Sequence, residues 1–193
     1  MDLTIKHSNV NFEARAGKNL LKYVEKHEFG GDKTKTEKFA QLFERAFENT
    51  TENSTVVDID KNKNLIFSNS LFPKIKYNYS AWLKYSKSVA KDLINSCTAT
   101  IARGERMLFK HIIASEINAG KSFEELFNSA QNFTNPERQN VFLNILSTAR
   151  RAKVEHPQQK LDISLIDYMD MKIAEENYRK NPPKFVSSNF AYN

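Results

Sequence analysis

The densest run of residues equipped to hold a ligand lies between positions 74 and 91. There Lys74, Lys76, Tyr77, Tyr79, Trp82, Lys84, Tyr85, Lys87 and Lys91 mix cations with aromatic rings. Ammonium groups neutralise phosphates and aromatic faces stack on unpaired bases, so the mixture suits a nucleic acid. Helical spacing then divides the set. At about 100° per residue, Trp82, Tyr85, Val89, Leu93, Cys97 and Ile101 share one stripe, while Lys84, Lys87 and Lys91 fall opposite. Trp82 and Tyr85 are therefore expected in the core. Lys74, Lys76, Tyr77, Tyr79, Lys84, Lys87 and Lys91 are left as an exposed basic patch, suited to an acidic protein surface or a nucleic acid, or simply solvated.

A second arrangement spans 122–153. Two amphipathic helices, Phe123–Gln131 and Pro136–Lys153, are joined by a short turn, and the second begins Glu137, Arg138, Gln139, Asn140. Those residue types read base edges from the front of a recognition helix, with Arg150 and Arg151 as further phosphate contacts. Glu137 would meet phosphates unfavourably, and an ordinary αα-hairpin has the same pattern.

Catalytic and metal chemistry find less support. Phosphate-loop, dinucleotide, nucleophile-elbow and zincin motifs are absent from the sequence. Gly30, Gly31, Asp32, Lys33 and Thr34 come nearest to a phosphate loop, but the spacing fails and no strand precedes them; a helix stop followed by a cap is the simpler reading. Asp58, Asp60, Asn62 and Asn64 have the alternate-oxygen spacing of a calcium loop, yet Lys63 stands where the turn needs Gly and Asn69 where a bidentate Glu belongs. A polar hairpin turn is expected instead. His7, His27, His111 and His156 are scattered, with no zinc-ligand spacing. Asp167 and Asp170 share a helix face and could divide acid and base work, though solvated acids near a helix start are commoner. Glu116 falls on an apolar stripe and is expected to meet a Lys or Arg from a neighbouring helix. No catalytic residue, metal site or cofactor is assigned.

These groups must be carried mainly by helices. Leu20, Leu21 and Val24 form a stripe ended by Gly30 and Gly31, and Thr34 with Glu37 has capping-box spacing before Phe39, Leu42, Phe43, Ala46 and Phe47. Residues 50–79 break the pattern around two short runs, 56–59 and 65–67, that read as a hairpin. Ser80 caps a long helix that Gly104 kinks or interrupts and Gly120 stops. Ser122 with Glu125, Asn135 before Pro136, and Ser164 with Asp167 open three more. Lys172 to Glu176 and Glu175 to Arg179 have supporting i, i+4 spacing. The expected fold is all-α: an irregular bundle of six or seven helices, with one small β-hairpin near 55–68. It reads as a single domain over 1–193, with 1–50 and 80–181 as alternative lobes and 182–193 as a tail.

Composition bounds the rest. The chain has 193 residues, 40% of them hydrophobic, with 14 Phe, which is enough apolar side chain for a core without staples. A single Cys97 and no secretory or membrane-spanning pattern point to a cytoplasm, the producer's or a host's. The Lys-, Asn-, Phe- and Ile-rich, Gly-poor usage has a bacterial or phage flavour. Twenty-nine basic against 23 acidic residues leave a net charge of +6. That excess favours an acidic or polyanionic partner. The expected role is a non-enzymatic helical interaction or adaptor protein that meets a macromolecular partner, most simply a protein, through its basic face. The alternatives are a nucleic-acid-binding protein, and then an enzyme with an unfamiliar site.

Overall fold

The computed structural model describes residues 14–47, 55–69, 72–79 and 89–182; the side chains of 89–93 fall outside it. Among these residues the elements run β1 (Arg15–Ala16), α1 (Lys18–His27), α2 (Lys33–Ala46), β2 (Thr55–Ile59), β3 (Leu65–Asn69) and β4 (Lys76–Tyr79). Four helices follow: α3 (Val89–Asn118), α4 (Phe123–Ala130), α5 (Pro136–Glu155) and α6 (Ile163–Lys180). The protein is mainly α-helical, as its periodicity dictates.

The sheet exceeds the expected hairpin. Its four strands lie in sequence order; β1 runs parallel to β2, and β2, β3 and β4 pair antiparallel. In β2 and β3 alternate residues are buried, so Val57 opposite Phe67 and Ile59 opposite Leu65 face the core. β4 continues that face, setting Tyr77 against Phe67 and Tyr79 against Leu65 while Lys76 and Asn78 point out. The Lys-Tyr-Asn-Tyr alternation, read from sequence as a basic and aromatic patch, is the period of a half-buried strand. Two-residue β1 is too short to carry any alternation. The turn between β2 and β3 is polar, with the Asp60 carboxylate accepting from the backbone N–H of Asn62 and Asn64. Lys63 there takes a φ of +64°.

Asp58, the first oxygen of the apparent calcium loop, has another partner. Its carboxylate accepts from the Leu20 backbone N–H at 2.7 Å and from the Asn19 amide at 3.1 Å. It thereby satisfies an orphan donor at the start of α1, where Gly17 occupies the N-cap and has no side chain to do so. A Cβ on Gly17 would lie 2.3 Å from Asp58 Cγ, so glycine is what admits the cap. Leu20 and Val24 are buried under α1. The helix stops where Gly30 and Gly31 adopt φ of +58° and +91°. Asp32, not Thr34, caps α2 by accepting from the Lys35 N–H. Its buried seam is Thr36, Phe39, Phe43 and then Phe47, whereas Leu42 and Ala46 face outward.

α3 passes through Gly104 without a break. The glycine is a notch: a Cβ there would stand 2.1 Å from Cγ of Phe67, whose ring packs against the helix backbone. α3 contributes Cys97, Ile101 and Leu108 to a core shared with the sheet, α1 and α2. The downstream half contributes Phe109, Ile113 and Ala114 to a second core with α4, α5 and α6. Ile112 packs against both. The stripe expected upstream, at Trp82, Tyr85, Val89 and Leu93, lies outside the described side chains.

In the second core Phe109, Phe133 and Phe142 pack at centroid distances of 5.4 to 5.7 Å. The Ser122–Glu125 capping box and the Asn135 cap before Pro136 form as the sequence specifies. α6 begins earlier than expected, with Asp162 accepting from the Leu165 N–H. Asn118 grips the backbone of Leu161 through both amide atoms, at 2.7 and 3.2 Å, and so ties the end of α3 to the start of α6.

Candidate interaction surfaces

The residues singled out by composition do not converge on one face. Lys74 and Lys76 are exposed, in the loop before β4 and on its outer side. Tyr77 and Tyr79 are instead half-buried against the first core, and the Arg103 guanidinium lies 4.7 Å from the Tyr79 ring centroid. This corrects their placement in an open patch: a period of two puts every second residue of β4 inward. Lys84 and Lys87 lie outside the described residues, as does the Lys91 side chain.

The α4–α5 pair is likewise committed inward. Arg138 reaches Glu105 of α3 at 3.2 Å, with both side chains about nine-tenths buried, and its guanidinium lies 5.6 and 5.7 Å from the Phe109 and Phe133 rings. Gln139 donates to the Ala130 carbonyl. Two of the four residues at the front of α5 thus hold the fold together, and the exposed pair left is Glu137 and Asn140. A recognition helix built on Arg138 and Gln139 is not what this geometry presents. Arg151 donates through Nη2 to both carboxylate oxygens of Glu176 of α6 and through Nε to Glu155, which also receives Lys172. The Glu176 and Glu155 hydrogen bonds raise the Arg151 pKa. Those from Lys172 and Arg151 lower that of Glu155, and the one from Arg151 lowers that of Glu176. Lys172 and Glu176 therefore spend their charges across the α5–α6 interface, not along one helix. Arg150 is exposed.

The acids considered for proton transfer are also engaged. Lys110 of α3 is buried and donates to Asp167 at 2.5 Å and Asp170 at 2.7 Å, with Arg106 3.8 Å from Asp170. Burial pulls the Lys110 pKa down, but the hydrogen bonds to the two carboxylates outweigh it and leave the value raised. A lysine held charged this way is an anchor between helices, not a base. Glu116 pairs with Lys121 from the turn that follows its own helix, not with a neighbouring helix. Burial pushes the Cys97 thiol up to about 12, far from the thiolate a nucleophile requires. Among the described residues no three His, Cys, Asp or Glu side chains cluster as metal ligands, and no helix is long and apolar enough to cross a membrane.

Two surfaces stand out among the described residues. On α1, Lys18, Lys22 and Lys26 are all exposed and recur every four residues, so they stand in a row about 6 Å apart along the axis. Lys22, Glu25 and Lys26 line a hollow of about 490 Å³ whose far wall is Gly30 and Gly31. Beside the row, Tyr23 packs on His27 at 4.6 Å, and Lys63 from the hairpin turn lies 5.9 Å from the Tyr23 ring. The row's mark in the sequence is the bare i, i+4, i+8 spacing of the three lysines, with no motif around it. The second surface is a groove of about 580 Å³ between α4 and α5. Phe123, Phe127, Leu143 and Leu146 wall it, with Glu124 and Arg150 among its polar lining. No protein-family model, curated protein or solved structure matches the chain.

Proposed function

We propose that the protein is a non-enzymatic helical interaction module that docks an acidic macromolecular partner through a basic face, and that this face is the exposed side of α1. The observation that carries the reading is the row Lys18, Lys22 and Lys26: three solvent-facing ammonium groups on one helix, none drawn into an ion pair with the described residues. By contrast, the buried or strategically placed charges elsewhere, at Glu105, Lys110, Arg138 and Arg151, are occupied in joining helices. A chain with a net charge of +6 gathers acidic partners by long-range attraction, and unpaired lysines in a row give that attraction a direction.

The test is binding to a panel of acidic polymers at low ionic strength, namely polyglutamate, heparin and mixed-sequence nucleic acids. At least one should bind, weakening steeply with added salt. A variant with Lys18, Lys22 and Lys26 all changed to Glu should lose that binding while keeping the wild-type circular dichroism. Indifference of every polymer, or of the variant, overturns the reading.

A further inference from the structure

We infer that the α1 face is a sequence-independent nucleic-acid site that reads the phosphodiester backbone; the inference rests on the basic-face reading above and narrows its partner. Composition separates a phosphate chain from an acidic protein. Protein interfaces concentrate energy in buried aromatic, Met and Arg anchors and are poor in Lys. The outer side of α1 has the opposite make-up, because none of the large exposed hydrophobic residues of the described structure, at 42, 127, 154, 168, 171 and 178, belongs to it. It offers regularly spaced ammonium groups and no large exposed hydrophobic side chain. A surface of that kind gains affinity by releasing counterions, and a linear array of phosphates is the matching ligand.

Local geometry adds to the row. Lys22 and Lys26 share their hollow with Gly30 and Gly31, where an added Cβ would meet nothing within 4 Å, so no side chain crowds the two lysines from that side. Lys63 adds a fourth cation from the hairpin turn, reached past Tyr23. Asp58 and Asp60 beside that turn accept from backbone N–H groups and keep their negative charge, which holds the phosphate track to the side of the lysine row. Glu25 lies in the hollow and opposes an anion there, which places the phosphate track along the lysine row and not deep in the concavity.

The experiment is a fluorescence-anisotropy titration of the full chain with a labelled 20-nucleotide single strand and a labelled 20-base-pair duplex of mixed sequence, repeated from 50 to 200 mM salt. Three phosphate contacts predict log–log salt slopes of about −2 for the single strand and about −3 for the duplex. That is roughly a 20- to 40-fold loss of affinity across the range. Lys22→Glu with Lys26→Glu should flatten the slope by about 1.4 for the single strand and about 1.8 for the duplex. Lys160→Glu with Lys180→Glu removes the same net charge from exposed positions on other elements and should flatten it far less. Equal loss in the two double variants means that net charge alone binds, and it overturns the site. Tight, Lys22- and Lys26-dependent binding of polyglutamate with no response to either nucleic acid overturns this inference and leaves the basic-face function standing. No response to any polymer removes both.

Discussion

A single atom decides what Gly104 does. Helix propensity alone makes Gly104→Ala stabilising by about 1 kcal/mol, because alanine loses less backbone entropy. The ring of Phe67 reverses the sign, since the new Cβ would sit 2.1 Å from its Cγ. Overpacking of this kind costs about 1–3 kcal/mol, so, net of the propensity gain, Gly104→Ala should lower the urea-unfolding free energy by about 1 kcal/mol and by no more than about 2. On a Phe67→Ala background the same substitution should become neutral or favourable. A stabilised single mutant would show that α3 does not rest on β3 as described. Asp58 teaches the same lesson: its spacing in the chain imitates a calcium ligand, and its actual partner is the first turn of a helix some forty residues earlier.

At the scale of elements, α6 is held by charges as well as by its apolar stripe. Glu155 and Glu176 both titrate below the ordinary glutamate value of 4.5, because Lys172 and Arg151 hold their ionised forms. A depressed folded-state pKa contributes stability that is present above the unfolded value and is lost as the pH falls through the folded one. Glu176→Gln should therefore destabilise at neutral pH and low salt, and the gap to wild type should close as the pH is lowered to about 3. Paired denaturation curves at the two pH values measure it; a gap that persists in acid would mean that packing, not charge, was lost. Helix starts were legible at Ser122 and Asn135. They were misplaced at α2 and α6, where an Asp two residues upstream of the expected Ser or Thr takes the cap. β4 was misread because its alternation is of polar and aromatic residues, and only its pairing with β3 shows which side is inward.

For the molecule as a whole, α3 is the shared member: a helix of 30 residues, or about 45 Å, built into two cores with Ile112 between them. A shared rigid element couples the cores, so they should unfold together. Phe43→Ala in the first core and Ile145→Ala in the second should each cost about 2–5 kcal/mol and each shift one common transition, followed by hydrogen exchange at α1 and at α5. Separate transitions, with one core left protected, would refute that coupling. The two surfaces fall on opposite sides of this division. The lysine row belongs to the end with the sheet, and the apolar groove to the end formed by α4, α5 and α6.

Periodicity and capping chemistry by themselves determined the helical class, the approximate span of most helices and the β2–β3 pair, because these follow from contacts within a few residues. Net charge set the sign of the protein's own field. Tertiary structure alone decided which charges stand available at the surface, because a cation's availability depends on what another element brings within 3 to 4 Å. Arg138 and Arg151 looked as free in the chain as Lys22 and Lys26. Glu105 and Glu176 arrive from distant helices to take the first pair, and among the described residues none arrives to take the second.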